Sequence, residues 1–191
     1  MQSRRAPKND LHVRLRNGGA NVGDDTGPAL RDKIIQALRS ACPDASQTNC
    51  GVAETVITVN VANKSKGKTT IAKGQTKVTV TSAYFDGDRE IYDFLMDAVA
   101  GVATTAPQAN ENCNSFISEG QMYKFCSTYN RIVVSFNDYN MAVEFSGNPP
   151  SSFDCGPTLV AAQTMLEQMR PRLEMATCTQ GLTASYECQY K

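Results

Sequence analysis

The chain has 191 residues, 41% hydrophobic and 20% charged, with 19 basic and 19 acidic side chains that cancel to zero net charge. A chain of this length buries roughly 70% of its unfolded surface, so it holds a genuine core. The balanced charge argues against dedicated nucleic-acid binding, and no apolar run approaches the ~18 residues of a membrane-spanning helix.

In chain order, the first signal is the dibasic pair Arg4-Arg5 before Ala6-Pro7. It reads as the scar of a processing protease in the secretory pathway, so residues 1–10 are expected to be a processed N-terminal segment whose signal peptide is gone. Leu11, Val13 and Leu15 alternate with His12, Arg14 and Arg16, which predicts a half-buried strand. Asn17 to Gly27 reads as a Gly- and Asp-rich loop. Asp24-Asp25-Thr26 offer caps and Pro28 suits the first turn of a helix carrying Leu30, Ile34, Leu38 and Ala41. Pro43 stops that helix. Ile57, Val59 and Val61 predict a second strand, and a Lys/Gly loop leads to a third through Val78 and Val80.

Asp86-Gly87-Asp88 opens a second helix whose Ile91, Phe94, Leu95, Ala98, Val99 and Val102 keep the helical period. Residues 104–120 read as a polar linker or disulfide-pinned loop. Ile132, Val134 and Phe136, a turn at Asn137-Asp138-Tyr139-Asn140, then Met141, Val143 and Phe145 predict a hairpin. Pro157 starts a third helix with Leu159, Ala162, Leu166, Met169 and Leu173 inward, and Pro171 is expected to kink it or end it early. Leu182, Ala184, Tyr186, Cys188 and Tyr190 alternate with polar residues in a last strand. Asp25-Thr26-Gly27-Pro28-Ala29-Leu30 matches Asp154-Cys155-Gly156-Pro157-Thr158-Leu159. The match reads either as duplication of a strand–helix–strand unit or as convergence on favoured helix starts. The element order predicts a single α+β sandwich domain over 11–191, one antiparallel sheet with helices packed on one face. Under duplication it divides into halves 11–103 and 121–191.

The seven cysteines are expected to be staples of an oxidising compartment. Cys42/Cys50 and Cys178/Cys188 each sit where a helix gives way to a strand, and Cys113/Cys126 flank a short loop. These six are the disulfide candidates, with Cys155 left over, although spacing does not fix connectivity. His12 is the only histidine and no Cys-x-x-Cys pair occurs, so neither a metal nor another cofactor is expected.

Nucleophilic catalysis lacks a base in this sequence, because His12 lies among arginines on a strand face. Glu144 and Glu187 both point outward by alternation and are expected to ion-pair with Arg14 or Arg16; a hydrolase would need them in one cleft. Asp86, Asp88, Glu90, Asp93 and Asp97 cluster at a helix start and read as capping, not as a calcium loop. Lys64, Lys66 and Lys68, with Lys73 and Lys77 behind them, form the sharpest local charge feature and the candidate partner-binding residues. Asn63-Lys64-Ser65 is also an N-glycosylation sequon, so a glycan on Asn63 would mask that patch.

The dibasic Arg4-Arg5, the scattered cysteines and the repeated α/β units with Gly156-Pro157 after Cys155 together resemble fungal secreted cysteine-rich proteins. These include plant-pathogen effectors and the killer toxins of smut fungi and salt-tolerant yeast. The resemblance implies a small disulfide-bonded α/β sandwich of ferredoxin-like or killer-toxin-like form, and a non-enzymatic extracellular virulence role. Its partners would be a host or target-cell protein, membrane or cell-wall component, met through the lysine-bearing segment and residues 104–120. A secreted hydrolase using acidic residues on the sheet face, and a structural or adhesive wall protein with a large apolar patch, are the alternatives.

Overall fold

The computed structural model describes residues 9–149 and 152–190; the dibasic Arg4-Arg5 site lies outside the described residues. The chain forms β1 (Asp10–Arg16), β2 (Gly19–Gly23), α1 (Gly27–Ala41), β3 (Asn49–Cys50), β4 (Ala53–Ser65), β5 (Lys68–Tyr84) and α2 (Arg89–Ala103). There follow β6 (Cys113–Ser118), β7 (Gln121–Tyr129), β8 (Arg131–Phe136), β9 (Tyr139–Ser146), α3 (Leu159–Thr177) and β10 (Thr183–Gln189). It is a disulfide-stabilised α+β fold, mostly antiparallel, with the helices packed against the sheets.

The larger sheet runs β10-β1-β8-β9-β5-β3, with β4 also on β5. Alternation sends Leu11, Val13 and Leu15, Ile132, Val134 and Phe136, and Met141, Val143 and Phe145 into the core. The helices cover that side. α2 lies against α1, α3, β8 and β9, and is buried almost all round. Two acids on α2 tie the layer together: Asp97 bridges Arg31 of α1 and Arg172 of α3, and Asp93 meets Arg39 and Arg89.

Three features depart from the single antiparallel sheet expected. β10 joins β1 in parallel, so the first and last strands are neighbours in the sheet. A second sheet, β2-β7-β6, replaces two presumed loops. The two sheets share a corner: the β1/β8 pair continues as β2/β7 after bending at Gly18 and Asn130, where Asn130 N–H donates to the Gly18 carbonyl at 2.6 Å. A Cβ at Gly18 would lie 2.4 Å from Asn130 Nδ2, so any larger residue there would have to displace the Asn130 side-chain amide. Residues 104–120 are no linker. They form two short 3-10 turns and β6, pinned by Asn112, whose amide donates to the carbonyls of Ala106 and Asp154 at 3.1 Å.

The expected disulfides Cys42–Cys50 and Cys113–Cys126 are present, and the third is Cys155–Cys188. The Cys178–Cys188 pairing is therefore corrected. α3 returns against β10, so the start of the helix region, not its end, lies beside the end of the strand. Cys188 is five residues along β10 from Thr183, roughly 17 Å at strand rise, whereas a bridge needs Cα atoms within about 7 Å. Cys178 is a free, exposed thiol at the left-handed C-cap of α3, φ 50°. Pro171 does not end α3, which runs on to Thr177. The two Asp-x-Gly-Pro segments also differ: the first opens α1 directly, the second a 3-10 turn, and the strands that follow pair differently, antiparallel for β4 and parallel for β10.

Candidate functional site

Two β-ribbons of the fold adjoin each other. The first is β4–β5, paired from Ala53↔Val80 out to Ser65↔Lys68 and closed by Lys66-Gly67. Both turn residues have positive φ, 47° and 76°, as a type I′ turn requires. The basic stretch, expected as a hairpin loop between two strands, is the turn and outer end of a long two-stranded arm. The arm is buried near Ile57 and Val59 and exposed from Ala62 outward, because its outer sequence is Asn, Lys, Ser and Thr with no apolar stripe to bury.

The five candidate lysines separate into two groups. Lys73 donates to Asn60 Oδ1 at 2.6 Å, and Asn60 in turn donates to Asp24 Oδ1 at 2.8 Å. Lys77 pairs with Glu54 at 3.0 Å. Both are absorbed by their own ribbon. Lys64, Lys66 and Lys68 stand exposed at the tip with no acidic partner among the described residues. Asn63 is exposed beside them, on the ribbon face opposite Lys64.

The second ribbon, β6–β7, was missed in the sequence. Its base is clamped by Cys113–Cys126, which sit directly opposite each other. Its tip is the two-residue turn Glu119-Gly120, again with positive φ at both positions, 52° and 76°. On one face Phe116 stacks on Tyr123 at 5.9 Å and meets buried Phe125 edge-on at 4.9 Å. On the other face Ile117 and Met122, opposite each other in register, are 67% and 73% exposed. Lys124 follows on that face and donates to Asn110 Oδ1 at 2.7 Å. The ribbons adjoin: Ala62 and Lys64 of the first line one depression with Asn114, Ser115 and Phe116 of the second.

The carboxylates of the outer sheet face do not converge. Glu144 lies 3.9 Å from Arg16 and 3.7 Å from Arg131, and Glu187 lies 3.7 Å from His12. Glu144 is on β9 and Glu187 on β10, three strand spacings apart, about 14 Å, beyond the ~9.5 Å upper limit for paired glycosidase carboxyls. The depression at Glu187 is lined by Arg16, Cys188, Gln189 and Tyr190 and does not include Glu144. The acidic residues at α2 are engaged as well. Asp88 caps the helix by accepting from the Glu90 and Ile91 amides at 2.9 and 3.1 Å, and Asp93 and Asp97 hold arginines. Among the described residues no group of His, Cys, Asp or Glu is arranged to hold a metal ion, and no helix is long and apolar enough to cross a membrane. An open cleft of about 470 Å³ between α1 and β4, lined by Lys33, Gln36, Ser40, Thr58 and Lys73, was also unforeseen. Lys33 is held there by Asp25 and the Thr58 carbonyl. No protein-family model, no curated protein and no solved structure matches the chain.

Proposed function

We propose that the chain is a secreted, non-enzymatic effector or toxin-like protein that binds a component of a host or target cell through its paired ribbons. One observation carries this reading: three lysines without acidic partners stand at the tip of one ribbon, and two exposed apolar side chains stand on the adjoining, disulfide-clamped ribbon. Elsewhere most basic side chains have a carboxylate partner, as Arg16, Arg31, Lys33, Arg39, Lys77, Arg89, Arg131, Arg170 and Arg172 do. Three disulfides support an oxidising, extracellular setting, since such bridges are rare where thiols are kept reduced. The hydrolase reading loses support from the separation of Glu144 and Glu187. The adhesive reading gains none: of the other exposed large apolar residues, Val160 and Met175 lie near opposite ends of α3, Val56 is on β4, and Val52 and Tyr190 lie outside the helices and strands.

The test is binding of fluorescently labelled protein to yeast spheroplasts and plant protoplasts. Charge reversal in K64E/K66E/K68E is expected to lower the bound fraction at least tenfold while leaving the melting temperature within a degree or two. Undiminished binding would remove the ribbon tip from the account.

A further inference from the structure

The partner class follows from the chemistry of the two tips taken together, and rests on the reading that the paired ribbons are the working surface. Ile117 and Met122 face each other across β6–β7, large, apolar and mostly in solvent, with none of the described residues covering them. Lys64, Lys66 and Lys68 lie on the adjoining arm, and Lys124 lies just below Met122. Glu119 is the single acid in the two outer segments 60–73 and 113–124, which carry five lysines: Lys64, Lys66, Lys68, Lys73 and Lys124. A protein pocket would recognise such lysines through paired acids in fixed places. These side chains instead sit on mobile four-carbon stems around an apolar point, an arrangement suited to a plane of diffuse negative charge over hydrocarbon. We infer that the paired ribbon tips dock on an anionic lipid bilayer, with Ile117 and Met122 entering the headgroup–acyl boundary and Lys64, Lys66 and Lys68 at the phosphate level.

The geometry fits the task. The tips are two-residue turns, which makes them narrow, and the apolar pair stands immediately behind one of them. Alternate backbone groups point outward from both edges of the ribbon, which limits entry of the tip to the headgroup–acyl boundary, where water still reaches them. The Cys113–Cys126 bridge and the Phe116/Tyr123/Phe125 cluster hold the ribbon stiff, so little ordering entropy is lost on docking.

Co-sedimentation of the full chain with large unilamellar vesicles tests this directly. Vesicles of phosphatidylcholine with about one-third phosphatidylserine are expected to bind the protein; pure phosphatidylcholine vesicles are expected to bind it weakly. Raising salt from about 0.01 M to about 1 M, which shortens the screening length from ~30 to ~3 Å, should release it. Each tip lysine is worth about fivefold, so K64E/K66E/K68E should lose at least a hundredfold. I117S/M122S should lose about tenfold or more while keeping the salt dependence. Thermal melting of both variants serves as the folding control. No binding to the phosphatidylserine vesicles overturns the inference, and so does binding that neither variant changes. Should spheroplast binding depend on the tip lysines yet vanish when the cells are first treated with protease, the surface stands but its partner is a protein. Should spheroplast binding ignore the tip, the functional reading fails as well.

Discussion

Tyr129 carries its phenol into the interior, where Thr105 Oγ1 lies at 2.8 Å and Thr158 Oγ1 at 2.7 Å. The two threonines also donate to the Val102 and Cys155 carbonyls. Three hydroxyl protons are shared among these four contacts, with the Tyr129 proton going to one threonine at a time while both threonines donate to carbonyls. The cluster joins the end of α2, the end of β7 and the Cys155 bridge. Loss of one buried hydroxyl from this knot leaves a partner short, so Tyr129→Phe should cost about 1–2 kcal/mol in urea unfolding with an unchanged m-value. Burial pushes the Tyr129 phenol above its ordinary range, and it does the same for Tyr92 and Tyr186, the latter helped by Glu167. A raised folded pKa means that the neutral phenol is favoured in the fold. This contribution is complete below the unfolded tyrosine value of about 10 and is lost as pH climbs through the higher folded values. Absorbance titration at the phenolate band should show these tyrosines ionising only above the usual range, with stability falling over the same interval.

At the scale of elements, the bridges differ in what they restrain. Cys155–Cys188 spans 33 residues and fastens edge strand β10 to the start of α3, whereas Cys178 restrains nothing. The double change C155S/C188S should cost about 2–4 kcal/mol, while C178S should be nearly neutral; both are read from denaturant midpoints. The same elements show why part of the fold could be read in advance. α2 has a stripe of Ile91, Phe94, Leu95, Ala98, Val99 and Val102 that only a helix gathers on one side, and β10 alternates cleanly. β6 and β7 hid because Phe116 next to Ile117, and Met122 next to Tyr123, place apolar groups on both faces and erase the period of two. The signal was the Glu119-Gly120 dipeptide centred between those pairs. β2 hid because Gly19-Ala20-Asn21-Val22-Gly23 has the composition of a loop and is a strand only through its pairing with β7. The Cys155 partner was invisible for a similar reason, since it depends on α3 returning along β10.

Over the whole molecule, the basic stretch stood out in the sequence as charge, but its place did not. Only the fold separates Lys73 and Lys77, spent on Asn60 and Glu54, from the three at the tip, and only the fold sets the ribbon that carries Ile117 and Met122 against the lysine-bearing arm. Asn63 sharpens the point, because it is exposed within the same tip. Protein made in a secretory host that attaches a glycan at Asn63 should bind spheroplasts and anionic vesicles more weakly than N63Q from the same host, with the mass difference confirming occupancy.

The working surface is identified most directly by hydrogen–deuterium exchange of the full chain with and without spheroplast membranes. Slowed exchange confined to Ala62–Lys73 and Phe116–Met122 is the predicted footprint. Protection centred on the outer sheet face, at His12–Arg16 and Arg131–Ser135, or on the cleft between α1 and β4, with the two tips unchanged, would contradict it.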